Sequence, residues 1–176
     1  SGVSPNPYIG VQSIQYKGGP LTYEINIYVE KWSNFAHIYL LNHPSNRSRE
    51  IRSNHGERVQ ILSREGPPWT YPYNTTFSGL ISGWNHIVFT IETKSFKTYV
   101  NGVLINNNTN TDKVDSFLVN SRLLNNNEMK IGGSAGGWLR NVTEDSFTIS
   151  HVRIWDGTVL SDFDVEILYE KSQWII

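Results

Sequence analysis

The chain has 176 residues and a formal net charge of −1, and it contains no cysteine. This length fits one domain over residues 1–176, and the lack of cysteine excludes disulfides, thiolate nucleophiles and cysteine-containing zinc sites. The basic residues form no long run, so no nucleic-acid partner is expected. No apolar stretch approaches the roughly 20 residues that cross a bilayer, so membrane insertion is not expected either.

The N-terminal half contains short segments in which apolar and polar residues alternate, a pattern typical of strands. The clearest alternation lies in the second of them, where every other residue from Tyr23 to Val29 is apolar and predicted to face inward. The predicted strands of this half are Tyr8–Tyr16, Leu21–Glu30, Phe35–Leu41 and Arg58–Ser63.

Two further segments of this half are predicted to lie outside the sheets. His43 to Gly56 is polar and broken, which indicates a loop or a short edge hairpin. Gly66 to Asn74 contains three prolines and three aromatic residues. Because proline cannot donate a backbone hydrogen bond, we predict a surface loop with exposed rings there.

The C-terminal half opens with a predicted strand from Trp84 to Ile91 and a hairpin from Phe96 to Ile105. The Asn101-Gly102 pair in that hairpin accepts positive φ at little cost, so it predicts a two-residue turn. A last long strand is predicted from Phe147 to Trp155, with a bulge near Ser150-His151 that keeps its apolar residues on one face.

Ser161 begins a short predicted helical turn, in which Val165, Leu168 and Tyr169 have helical spacing. The segments add up to about ten to twelve short strands, too many for one flat layer. The sequence therefore predicts an all-β fold, a two-sheet antiparallel jelly-roll sandwich with a short C-terminal helical turn.

Several short motifs in the C-terminal half occur in an order that resembles the laminin-G-like branch of the concanavalin A-like lectin and glucanase superfamily. The resemblance implies the sandwich fold, and it implies a protein from a group that includes glycan binders, adhesion modules, toxin subdomains and glucanases. The motif residues are Trp84, His86, Tyr99, Val100, Asn101 and Gly102, then Ile131, Gly132 and Gly133, then Val152, Arg153, Ile154 and Trp155, and finally Leu160, Ser161, Leu168 and Tyr169.

Catalysis is not expected from the carboxylates of this chain. Glucanases of the superfamily carry a Glu-x-Asp-x-Glu trio on one strand, and the nearest string here is Asp162, Asp164 and Glu166. Helical spacing would fan these three groups around a solvated helix, whereas hydrolysis with retention needs two carboxyls about 5 Å apart. We therefore predict that the protein is not an enzyme.

No cofactor is predicted. The five histidines form no helical pair, and His86 and His151 are expected to serve in packing and hydrogen bonding. Many relatives of the resembled family bind calcium at a sheet rim. Calcium is therefore possible here, but no spaced motif predicts it among the candidate oxygen ligands Asp112, Asp115, Glu144 and Asp145.

Aromatic residues beside arginines form the candidate ligand-binding cluster. Rings present a flat surface to the C–H face of a sugar, and neighbouring polar groups bind its hydroxyls. The alternative is that the same rings cap the open end of the sandwich. The candidate residues are Arg64, Trp69, Tyr71, Tyr73, Trp138 and Arg140.

The sequence thus predicts a non-catalytic recognition module that binds a glycan or glycoprotein, on a secreted, cell-surface or virion-surface protein. A structural or protein-adhesion domain, packed against a neighbouring domain of a larger protein, is the alternative. A glycoside hydrolase is the third and least favoured reading.

Overall fold

A computed structural model describes residues 9–14, 20–30, 37–43, 47–53, 58–65, 68, 70–109, 127–131 and 147–173. These residues form two antiparallel sheets and one helix, which confirms the predicted all-β sandwich class.

The first sheet has six strands in the order β1-β10-β3-β4-β5-β6, and the second has five in the order β11-β2-β7-β8-β9. The six-stranded sheet contains β1 (Ile9–Ile14), β3 (His37–His43), β4 (Arg47–Ser53), β5 (Arg58–Glu65), β6 (Thr70–Ser78) and β10 (Asn127–Ile131). The five-stranded sheet contains β2 (Leu21–Val29), β7 (Gly83–Glu92), β8 (Ser95–Val100), β9 (Val103–Asn108) and β11 (Phe147–Asp156), and the helix is α1 (Asp162–Ser172).

The core lies between the inner faces of the two sheets. The alternate apolar residues of β2 are buried there, as predicted, and Tyr23 stacks on Phe89 with ring centroids 4.8 Å apart. The six-stranded sheet contributes Ile51 and Ile61, both fully buried. Burial of apolar surface of this kind is the main stabilising contribution to a sandwich.

The β8–β9 hairpin turns at Asn101 and Gly102, which have φ of 52° and 76°. This confirms the predicted two-residue turn, whose geometry matches the twist of the flanking strands. The turn also lies against the helix, because a Cβ atom at Gly102 would come within 2.7 Å of Tyr169 Cδ1.

Helix α1 packs on the outer face of the five-stranded sheet and is longer than the single turn predicted. Val165 is buried with Val88 and Tyr99. A capping box at Ser161 begins the helix, since the Ser161 side chain accepts from the Asp164 backbone and the Asp164 carboxylate accepts from Ser161 N–H.

Two sequence-based expectations were wrong. The His43–Gly56 segment was expected to be a loop or edge hairpin, but β4 lies inside the six-stranded sheet between β3 and β5. The Gly66–Asn74 segment was expected to lie outside the sheets, but β6 begins at Thr70 and is the edge strand. An edge strand tolerates Pro72 because one of its sides needs no backbone donor.

Replacement of Gly102 by alanine tests the contact between hairpin and helix. We expect Gly102→Ala to lower the free energy of unfolding by about 1–3 kcal/mol, because the new Cβ meets Tyr169 and the backbone has positive φ. Gly157→Ala is the matched control, since Gly157 has φ of 87° and nothing within 4 Å of its Cβ position. Urea unfolding followed by circular dichroism measures both, and equal losses would contradict the role of the Tyr169 contact.

Candidate functional site

The predicted ligand-binding residues fall on two strands or outside the described residues. Trp69, Trp138 and Arg140 lie outside. Tyr71 lies on edge strand β6 and is 51% exposed, in agreement with the expectation of an accessible ring.

Arg64 and Tyr73 lie on neighbouring strands, β5 and β6. Tyr73 pairs with Ser63, a buried residue, and Arg64 is the next residue along β5. The backbone register thus places both residues in the same part of the six-stranded sheet, and the predicted cluster remains a prediction.

The outer face of the same strands carries a row of hydrogen-bonded polar side chains that the sequence did not indicate. Arg52 Nη1 donates to Glu50 Oε2 over 3.0 Å, and Arg52 Nε donates to Gln60 Oε1 over 2.9 Å. Gln60 Nε2 then donates to Asn74 Oδ1 over 3.0 Å. We call Glu50, Arg52, Gln60 and Asn74 the polar row.

The strand register explains why the polar row forms. Ile51 and Ile61 face the core, so the residues before and after them on β4 and β5 face outward. Burial decreases along the row, from Glu50, which is fully buried on β4, to Asn74, which is exposed on β6. The accessible end of the row thus lies on edge strand β6, which also carries Tyr71.

The chemistry of the polar row suits hydroxyl groups. An amide side chain offers two N–H donors and one carbonyl acceptor, and the carbonyl of Asn74 is already engaged by Gln60. The Asn74 NH2 group therefore has donors to offer to a ligand. Since each member holds the next in place, little side-chain freedom would be lost when a ligand binds.

The acidic string on helix α1 is not arranged as a catalytic site. Asp162 Oδ1 accepts from Lys97 Nζ and from Tyr99 OH, both over 2.6 Å. The Lys97 contact, together with that of Tyr99, lowers the pKa of Asp162, and Ser161 lowers the pKa of Asp164. Asp162 thus anchors helix α1 to β8 and Asp164 caps it, and the helical placement of the string agrees with the spacing predicted from the sequence.

A third carboxylate, Glu24, is 0% exposed on the outer face of the five-stranded sheet. Its Oε1 atom lies 2.9 Å from His86 Nε2 and 3.1 Å from His151 Nε2. Arg153 donates to both carboxylate oxygens, with Nη2 2.6 Å from Oε1 and Nε on Oε2. The structure thus confirms that His86 and His151 are hydrogen-bonding residues. We call Glu24, His86, His151 and Arg153 the Glu24 network.

A bulge in β11 brings Arg153 to Glu24. Ile149 pairs with Ile27, but after the register shift His151 pairs with Asn26 and Arg153 with Glu24. An uninterrupted register would have placed Arg153 opposite the core residue Tyr23. The predicted bulge near Ser150-His151 is therefore confirmed, and it completes the ion pair.

The hydrogen bonds to Glu24 keep it ionised. Burial alone would raise its pKa, but the contacts with His86, Arg153 and His151 outweigh burial and lower the pKa from 4.5 to about 2. A carboxyl with this pKa is a poor general acid at neutral pH, since a catalytic acid needs a raised pKa. The Glu24 network is thus an ion-pair network within the sheet.

Among the described residues, no group of three or more His, Cys, Asp or Glu side chains could hold a metal ion. The sequence candidates for calcium, Asp112, Asp115, Glu144 and Asp145, lie outside the described residues. Within the described part of the chain, no helix combines the length and apolar character needed to cross a bilayer.

Glu24→Gln tests the Glu24 network through the pH dependence of stability. A group whose pKa is lower in the folded state stabilises above its unfolded pKa, and this contribution is lost as pH falls toward the folded pKa. We expect the variant to be less stable at pH 7 by on the order of 3 kcal/mol. The deficit should shrink as pH falls from about 4.5 toward about 2.

Chemical denaturation at a series of pH values measures this effect. Glu166→Gln removes an exposed carboxylate of helix α1 and is the matched control, which should leave stability nearly unchanged. A deficit of Glu24→Gln that stays constant down to pH about 2 would contradict the assignment.

Residues 4–166 match a laminin-G family model described as "Concanavalin A-like lectin/glucanases superfamily", which confirms the resemblance of the motifs. No curated protein sequence matches the chain.

Three solved structures illustrate the likeness of fold. The binding domain of botulinum neurotoxin DC in complex with rat synaptotagmin II is 14% identical with a TM-score of 0.61, covering 93% of this chain and 40% of that one. Domain 4 of AbnA, an extracellular arabinanase from Geobacillus stearothermophilus in complex with arabinotriose, is 17% identical with a TM-score of 0.59, covering 91% and 72%. A Trypanosoma rangeli sialidase is 16% identical with a TM-score of 0.60, covering 90% and 24%. The chain thus spans well under half of the toxin and sialidase chains.

Proposed function

The chain belongs to the concanavalin A-like lectin and glucanase superfamily, and we propose that it is a non-catalytic recognition domain that binds glycans. The observation that carries this proposal is the polar row, which leads from buried Glu50 to exposed Asn74 at the edge of the six-stranded sheet. Tyr71 lies exposed on the same edge strand. An exposed ring together with fixed amide groups matches the two sides of a sugar, its C–H face and its hydroxyl rim.

The carboxylates of the described residues favour recognition over hydrolysis. Asp162 is engaged by Lys97 and Tyr99, and Asp164 caps helix α1. Glu24 is held by the residues of its network. A retaining or inverting glycosidase needs two carboxyls that face one cleft, one of them with a raised pKa. The low pKa of Glu24 and its full burial do not suit that role.

The solved structures of similar fold support a ligand of this kind. The arabinanase domain was solved with arabinotriose, and a botulinum neurotoxin type C structure is described in terms of interaction with two ganglioside molecules. The arabinanase is described as extracellular. We accordingly propose that this domain acts outside the cell, on a secreted, cell-surface or virion-surface protein, where glycans are displayed.

A protein partner is the second candidate function. Phe163 on helix α1 and Val103 on edge strand β9 are 68% and 62% exposed. Contiguous exposed apolar surface marks protein interaction sites, and these two side chains are the most exposed large hydrophobic ones among the described residues. The neurotoxin domain bound to synaptotagmin II provides a precedent of similar fold. Binding of a protein partner that is lost in Phe163→Ser, with glycan binding absent, would favour this candidate.

Asn74→Ala tests the proposed glycan site. The purified domain is applied to an array of sialylated, fucosylated, plant and bacterial glycans, and the strongest ligand is titrated by calorimetry. We expect Asn74→Ala to weaken binding by about tenfold or more, since a donor at the accessible end of the polar row is lost.

Asn107→Ala is the matched control for this experiment. It makes the same change at an exposed strand residue of the other sheet, and it should leave affinity unchanged. If Asn74→Ala and Asn107→Ala bind the glycan with equal affinity, the ligand does not bind at the polar row. If no glycan on the array binds the domain, the proposed function itself is contradicted.

A further inference from the structure

The outer face of the five-stranded sheet carries aromatic and polar side chains beside helix α1. The helix packs over β7 and β8, where Val165 meets Val88 and Tyr99. Next to it, the strand register brings five side chains of β2, β7 and β11 onto the same outer face. We call these five residues, Tyr28, Trp84, His151, Arg153 and Trp155, the Arg153 surface.

From this arrangement we propose that the Arg153 surface is a second glycan-binding site, selective for uncharged oligosaccharides. The ligand class follows that of the proposed function, but the site shares no residue with the polar row and lies on the other sheet. Three properties of the surface support this site. Arg153 has a fixed orientation, its charge is balanced by Glu24, and aromatic rings stand at both ends of the surface.

Arg153 is held in place although it is accessible. Its Nε and Nη2 atoms both donate to Glu24, and its guanidinium carbon lies 5.6 Å from the Trp155 ring centroid. The side chain nevertheless remains 45% exposed. The guanidinium is held by hydrogen bonds to the buried carboxylate and by its contact with the Trp155 ring. It therefore loses little conformational freedom when it binds a ligand.

The charges of this surface cancel at neutral pH. The positive Arg153 is paired with the ionised Glu24, whose pKa is about 2. Because Glu24 lies buried beneath the guanidinium, its negative charge offsets the attraction of Arg153 for an anion, and an anionic ligand would gain little. Hydroxyl groups, in contrast, need donors and acceptors rather than net charge, so the surface suits an uncharged, hydroxyl-rich ligand.

Aromatic rings stand at both ends of the surface. Tyr28 and Trp84 contact each other edge to face with ring centroids 5.6 Å apart, and Tyr28 is 38% exposed. Trp155 lies at the other end, where it pairs with Thr22 of β2. Thr22 and Tyr28 are six positions apart on an extended strand, a distance of about 20 Å. An oligosaccharide of several rings spans this length, with stacking at its ends and hydrogen bonds between them.

Titration with oligosaccharides of known charge tests the proposal. Neutral arabino-, xylo- and cello-oligosaccharides and a sialylated trisaccharide are added at pH 7.5, and the indole N–H signals of Trp84 and Trp155 are followed by NMR. We expect at least one neutral oligosaccharide to shift both signals. Tyr28→Ala and Arg153→Lys should each weaken this binding about tenfold or more, because they remove a stacking ring and the planar guanidinium that Glu24 holds in place.

Three comparisons make the outcome decisive. Phe163→Ala on exposed helix α1 is the control and should not change affinity, and thermal unfolding shows whether each variant is folded. In an Asn74→Ala background, binding at the Arg153 surface should persist. Glycan binding that disappears with Asn74→Ala while both indole signals stay unmoved would overturn this inference and leave the proposed function standing.

Two other results also overturn the inference. A sialylated ligand that binds this surface more tightly than its neutral counterpart would contradict the preference for uncharged sugars. If no oligosaccharide perturbs either sheet, both the second site and the proposed function fail.

Discussion

Strand β2 buries both of its faces except at Tyr28, and much of the described structure follows from this constraint. It lies between β11 and β7, with its apolar residues against the six-stranded sheet. On its outer face Glu24 is 0% exposed. An unpaired buried charge costs far more than a domain of this size can lose, so Glu24 requires partners on both neighbouring strands. His86 on β7 and the histidine and arginine of β11 supply them.

This pairing constrains the fold beyond the pair itself. Arg153 reaches Glu24 only because β11 shifts its register after Ile149, and the same shift keeps Val152 packed against the core. His86 also contacts Tyr169 of helix α1, with ring centroids 5.8 Å apart. The network therefore connects β11, β2, β7 and the helix, and it holds His151 and Arg153 of the Arg153 surface in place.

The partners of four carboxylates support the proposal of a recognition domain rather than an enzyme. Glu24, Glu50, Asp162 and Asp164 are each engaged by a cation, a hydroxyl or a backbone donor. These contacts hold neighbouring donors in place, and they lower the pKa of Glu24, Asp162 and Asp164. A surface of fixed donors and rings recognises hydroxyl-rich ligands, whereas glycoside hydrolysis needs a carboxyl that can give up a proton near neutral pH.

Much of the fold could be predicted from local patterns, because alternation and turn chemistry are local. The inward residues of β2, the turn at Asn101 and the bulge near His151 could all be predicted in this way. Strand β4 was missed because Ile51 is its only apolar residue, and β6 because Pro72 suggested a loop.

The polar row and the Glu24 network could not be predicted, since both depend on which strands become neighbours and in what register. Gln60 and Asn74, for example, are 14 residues apart in sequence and meet only because β5 pairs with β6. Proximity in sequence suggested the predicted aromatic cluster, and proximity in sequence does not determine which side chains share one face of a sheet.

A crystal structure of the domain with a bound oligosaccharide from the array tests the central claim most directly. The account predicts an intact sugar chain in hydrogen-bond contact with Gln60 or Asn74 on the outer face of the six-stranded sheet. A cleaved product beside two carboxyl groups, or a sugar that contacts neither the polar row nor the Arg153 surface, would contradict it.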